Sequence, residues 1–184
     1  MKKYSILLLA LQVSCLSMVQ AQPALYVTTS GSTGFFSETP VENISAANQK
    51  SQVVLNPGTA GIAVRMYIRD FVFPNKLMQE HFNENYMESD KFPVATFVGT
   101  VSAPPDYSQD GVYPVSAKGK FTVHGVTTTR EIKGTLTVKD GKVRIAADFE
   151  VPLSDHRIEV PRLVFVKIAQ VIRVKADYLL SPKN

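Results

Sequence analysis

The sequence predicts an all-β barrel or sandwich carrying one helix, and three observations lead there. Short runs alternating apolar and polar residues, separated by turn signals, fill most of the chain. One segment alone, Phe71 to Phe97, switches to helical spacing. No repeat, linker or low-complexity tract divides the chain beyond its amino-terminal segment, so one domain over residues 22–184 is the simplest account.

The first twenty-one residues read as a secretory signal peptide, residues 1–21. Lys2 and Lys3 form the basic start, Ile6 to Leu11 the apolar stretch, and Val19-Gln20-Ala21 a small-residue cleavage site. Lipid attachment at Cys15 is disfavoured, because Gln12 stands where a leucine is wanted. Cleavage after Ala21 removes this sole cysteine, so an exported form has no disulfide and relies on its core and sheet hydrogen bonds. It also removes two of the charges behind the formal +4. No later stretch approaches the roughly 20 apolar residues of a membrane-spanning helix, so the expectation is a protein soluble after cleavage, periplasmic or otherwise exported. Basic residues are scattered without interleaved aromatics, which argues against a nucleic-acid partner.

The first clear strand is Ile62, Val64, Met66 and Ile68 alternating with Ala63, Arg65, Tyr67 and Arg69. After Asn75, a good N-cap, Met78, Phe82 and Tyr86 recur at every fourth position, with Leu77 and His81 widening the stripe; this predicts a helix over 76–87. Ser89-Asp90 and Pro93 end it, and alternation resumes at Ala95. Asn56-Pro57-Gly58, Pro104-Pro105-Asp106, Gly125 and Asp140-Gly141 mark connections. Asp140-Gly141 sits between Ile132, Gly134, Leu136, Val138 and Val143, Ile145, Ala147, Phe149, Val151, which predicts a hairpin. The last strand presents Ile172, Val174, Ala176, Tyr178 and Leu180 on one face and Arg173, Lys175 and Asp177 on the other. Between these, Asp155 to Val171 is irregular, and Leu163 to Ile168 reads as a buried connection or a short helical turn.

Two segments carry a resemblance. Phe82-Asn83-Glu84-Asn85-Tyr86, Ser89-Asp90-Lys91-Phe92-Pro93 and Ala95-Thr96-Phe97 resemble the helix-to-strand signature of the YceI-like family of bacterial envelope proteins. Gly119 to Thr127, GKFTVHGVT, resembles that family's second signature, and the similarity runs from about Leu25 onward. The resemblance implies a lipocalin-like antiparallel β-barrel of about eight strands that holds a long apolar lipid of polyisoprenoid type, with no established catalytic activity and no cofactor beyond such a lipid.

A barrel of about eight strands has room for one small ligand. Gly99, Gly119 and Gly134 each share parity with apolar neighbours, so each stands on an inward face. Such glycines either let the sheet coil or leave space for a tunnel. The candidate ligand-binding residues are Ile62, Val64, Met66 and Ile68; Met78 and Phe82 on the helix; and Phe97, Gly119, Phe121, Val123, Gly134, Leu136, Ile145 and Phe149 on later strands. The helix stripe serves equally to pack the helix onto the barrel.

Other chemistry finds little support. His81 and Glu84 supply two metal ligands at most, fewer than a site needs, so His81 reads as a helix-packing residue. His124 precedes a turn and suits bonds to backbone groups. Ser154-Asp155-His156 are adjacent, so their side chains diverge and cannot form a triad. Nucleophile-elbow, Walker and dinucleotide glycine patterns are absent. Two functions fit: an exported, non-catalytic binding protein holding an isoprenoid quinone or polyprenyl lipid, or an envelope interaction protein whose barrel is filled by its own side chains.

Overall fold

The structure, a computed structural model, describes residues 24–161 and 166–183. The expected signal peptide, Cys15, and the stretch Leu163 to Phe165 lie outside the described residues.

Eight strands form a closed antiparallel barrel in chain order: β1 Tyr26–Glu38, β2 Asn43–Asn56, β3 Gly61–Tyr67, β4 Val94–Ser102, β5 Gly111–Val123, β6 Val126–Lys139, β7 Lys142–Pro152 and β8 Val171–Pro182. Closure is made by β8 pairing with β1, in the register Phe35↔Val174 and Thr33↔Ala176. The predicted turns fall at strand connections. Asp140 and Gly141, with φ of 50° and 69°, form the two-residue loop between Lys139 and Lys142, a left-handed pair whose twist suits a hairpin.

The predicted helix begins as expected. Asn75 Oδ1 accepts from the amides of Leu77 (2.9 Å) and Met78 (3.3 Å), satisfying two donors of the first turn. It is, however, a composite: α1 spans Lys76–His81 and widens into a π-helical turn over Phe82–Tyr86, where the Met87 amide bonds back to Phe82 O at 2.9 Å. The one expected helix therefore stands over 76–86, with its second half wound as a π-turn. The wider turn brings Phe82 onto an aromatic cluster, stacked on Phe35 at 5.3 Å and packed against Phe71 (5.7 Å) and Phe73 (5.0 Å).

The barrel has two unlike ends. At the end of the hairpin loops β2–β3 and β6–β7, Leu55, Val143 and Leu180 are wholly buried, and Tyr107 of the β4–β5 loop packs on Tyr26 at 5.9 Å. The opposite end carries α1, the β1–β2 loop and the approach to β8, where Val166 is exposed and Ile168 half-buried. Between β6 and β7 the ladder stops at Gly134↔Ala147, and the strands part toward this second end. A 3-10 turn, Leu153–His156, occupies the wedge. His156 is buried there, and its Nδ1–H donates to Val126 O at 3.2 Å; Ser154 and Asp155 are exposed, so the three adjacent residues do diverge.

Candidate ligand cavity

The side chains on the inner faces leave a cavity of about 470 Å³. Its lining residues at the α1 end include Ser37, Glu42, Asn75, Leu77, His81 and Lys167, which form the mouth. Lys167 Nζ and Glu42 Oε2 face each other there at 3.8 Å. The wall beneath is almost wholly apolar, and the floor lies at Ile62, Val101, Leu136 and Tyr178, above the close-packed end of the barrel.

The sequence-predicted residues gather here because strand parity aims them inward. Ile62, Val64, Met66 and Ile68 line one side; Phe97, Phe121, Val123, Gly134, Leu136, Ile145 and Phe149 line the others; Met78 and Phe82 border the cavity from the helix. Gly119 does not. It pairs with Gly99 across β4 and β5, and a Cβ on Gly119 would run into Val98 O and stand 2.5 Å from the Gly99 Cα. The two glycines permit a close approach of backbones, so Gly119 serves sheet geometry and opens no space for ligand. At Gly134 an added Cβ would meet Ala146 O at 2.5 Å, so this lining glycine also answers to a neighbouring strand. His81 is exposed at the mouth, which corrects its reading as a helix-packing residue, while Met78 and Phe82 are half-buried and pack the helix onto the barrel.

Several lining residues escape sequence reasoning. Phe35, Phe71 and Phe73 form the aromatic wall against which Phe82 rests; Ile172, Val174 and Ala176, whose common face the alternation of the last strand gives, complete the side made by β8. Thr33 brings a hydroxyl inside: its Oγ1 lies 2.8 Å from Tyr178 Oη and 2.8 Å from Ser51 Oγ. Burial pushes the Tyr178 phenol up to about 12, only partly opposed by its bond to Thr33. Tyr86, nearer the mouth, is also raised by burial.

The two signature segments meet in space. Phe97 and Phe121 are register partners on β4 and β5. Phe92 packs edge-on to His124 at 4.6 Å and against Gly125, where a side chain would strike its ring at 2.5 Å. His124 Nδ1 contacts the backbone carbonyl of His156 at 3.1 Å, and its Nε2 reaches Glu88 Oε2 at 2.9 Å, a bond that holds the Glu88 carboxyl below its usual range. His124 therefore links the helix exit, the β5–β6 turn and the wedge between β6 and β7. Among the described residues no group of three or more His, Cys, Asp and Glu side chains is placed to hold a metal, and no helix is long and apolar enough to cross a membrane.

Known proteins place the barrel. No curated protein matches the chain in sequence. Among solved structures, a polyisoprenoid binding domain from Saccharophagus degradans implicated in plant cell wall breakdown aligns with a TM-score of 0.71 at 12% identity, covering 88% of this chain and 99% of its own. BcnA of Burkholderia cenocepacia aligns with a TM-score of 0.68 at 15% identity, over 82% of this chain and 96% of its own. The Campylobacter jejuni YCEI protein aligns with a TM-score of 0.56 at 14% identity over the whole of both chains. At such identities these neighbours show a shared fold. The profile of the YceI-like domain matches residues 18–179, and the chain belongs to that family.

Proposed function

We propose that the chain is an exported, non-catalytic binding protein that holds a long apolar lipid, of isoprenoid quinone or polyprenyl type, inside its barrel for carriage or sequestration in the envelope. The observation that carries this reading is the cavity of about 470 Å³, apolar along its wall and, among the described residues, open at one end. Its size is in the range of ordinary ligand pockets, about 300–1,000 Å³. Each methylene taken out of water contributes roughly 0.8 kcal/mol, so ten buried carbons give about 8 kcal/mol before ordering costs. Such binding needs no catalytic group. Family membership and the polyisoprenoid-binding neighbour support the same class of ligand.

The test is native mass spectrometry and lipid extraction on protein purified from its own host. A stoichiometric isoprenoid lipid is the expected result. Protein that is repeatedly empty and takes up no added polyprenol overturns the reading in favour of an interaction protein with no lipid ligand. Export rests on the amino-terminal pattern, and an intact mass beginning at Gln22, allowing for cyclisation of that glutamine, is its check. Full-length protein retaining residues 1–21 in the cytoplasm overturns it.

A further inference from the structure

The cavity floor holds a polar group that an apolar tail cannot use. Thr33 and Tyr178 both line the cavity and are 3% and 5% exposed, while Ser51, wholly buried, stands behind them. Their hydroxyls form a chain, Ser51 to Thr33 to Tyr178, with 2.8 Å at each step. Three hydroxyls carry three hydrogens, and two bonds use two of them. Whichever way the bonds point, one hydrogen of the trio has no acceptor among the described residues. A buried donor left without an acceptor is costly, and around it Ile62, Val101 and Leu136 offer none from their side chains.

The Tyr178 ring is held in place. It lies against Gly31, where β1 shifts register against β2 and where an added Cβ would meet Tyr178 Cδ1 at 2.6 Å. Its phenol, raised by burial, stays protonated at physiological pH and so remains a donor. The polar residues of the mouth, Glu42, Asn75 and Lys167 among them, belong to the opposite end of the cavity.

We propose that Thr33 and Tyr178, backed by Ser51, form a polar subsite at the cavity floor that donates a hydrogen bond to an oxygen on the buried end of the ligand. The ligand class is then an oxygenated isoprenoid or similar amphiphile bearing a hydroxyl, ether or carbonyl at its inner end, in place of a plain hydrocarbon tail. This inference rests on the lipid-carrier reading and specifies how the lipid is oriented.

The test compares binding of geranylgeraniol, its methyl ether and the hydrocarbon of the same skeleton to the purified mature protein. The variants are the double substitution Thr33→Val with Tyr178→Phe, and Ser51→Ala. In wild type the preference for the two oxygenated probes over the hydrocarbon should exceed that of the double variant by about 2- to 10-fold, the worth of one neutral hydrogen bond. Ser51→Ala should keep the preference, because the two remaining hydroxyls still have one hydrogen to spare. A preference unchanged in the double variant overturns the floor site and leaves the carrier reading standing. If no probe binds wild type, the carrier reading falls and the subsite with it. Should the double variant fail to fold, the carbonyl stretch of a bound geranylgeranyl ketone in wild type decides: a frequency lowered by hydrogen bonding is expected, and a hexane-like one overturns the subsite.

Discussion

Gly99 and Gly119 face one another across β4 and β5, so close that a side chain on either would collide with the other's strand. Gly119→Ala should therefore lower stability by about 1–3 kcal/mol, the range for overpacking, and Gly119→Leu by more. Urea melts check this. Lipid occupancy in the folded fraction should be unchanged, because position 119 does not border the cavity.

Val64 shows the contrasting behaviour. It borders the cavity opposite Phe97 in the β3–β4 register, so Val64→Trp projects its ring into free volume. The melt should remain near native while lipid uptake falls. Displacing only two methylenes from burial costs about 1.6 kcal/mol, roughly fifteenfold in affinity. Native mass spectrometry of protein exposed to excess polyprenol reads the loss.

Phe82→Ala should destabilise by about 2–3 kcal/mol. A fully buried phenylalanine would cost about 3–5 kcal/mol, but Phe82 is only half-buried; its stacking on Phe35 and contacts with Phe71 and Phe73 recover part of the difference. Denaturant melts of the lipid-free protein measure it, and a value under about 1 kcal/mol would detach the helix from the core.

His156 should impose a pH dependence. Burial is the main cause of its depressed pKa, offset in part by its bond to the backbone carbonyl of Val126, by the nearby Val123 carbonyl and by Asp155; Arg130 lowers it further. The unfolded chain, with a histidine pKa of about 6.5, binds a proton before the folded one does. Stability is thus full above that value and declines as pH falls from about 6.5 toward the folded pKa, with a slope of at most about 1.4 kcal/mol per pH unit. Chemical melts between pH 7.5 and 5 should show the decline in wild type and a flatter profile in His156→Gln. Glu88, Asp106, Asp148 and Asp177, whose carboxyls are held low by their hydrogen bonds, act in a separate and more acidic window.

The parts of the fold legible in sequence are those whose signal is local. Asn75 caps the helix through its own neighbours, and the alternation from Ile172 to Leu180 states which face of β8 is inward. β1 is illegible because Thr28 to Gly34 has no apolar alternation; the segment is a strand because β2 and β8 pair with it on both sides. The same limit hides the floor: alternation places Tyr178 on the inner face, but its partner Thr33 stands 145 residues away. Parity misplaces Gly119 because it gives the face of a residue and says nothing of how near the next strand comes. The π-helical turn, set by the packing of Phe82 against Phe35, Phe71 and Phe73, leaves no mark in the helical spacing.

The residues of the helix, from Lys76 to Tyr86, meet the barrel through side chains, chiefly the ring of Phe82, and contribute no rung to the sheet ladders. Swinging this segment outward during loading would give up the burial of Phe82 together with aromatic contacts worth about 0.5–1.5 kcal/mol each beyond that burial, and would leave every strand-to-strand bond in place. On the proposed function, uptake of a tail broader than the resting mouth should then be a rearrangement of rings at the doorway, with no local melting of the wall. Hydrogen-exchange mass spectrometry during lipid uptake should register transient deprotection in the helix while amides of β3 and β4 stay protected; exposure of those strands would mean that the barrel itself must open.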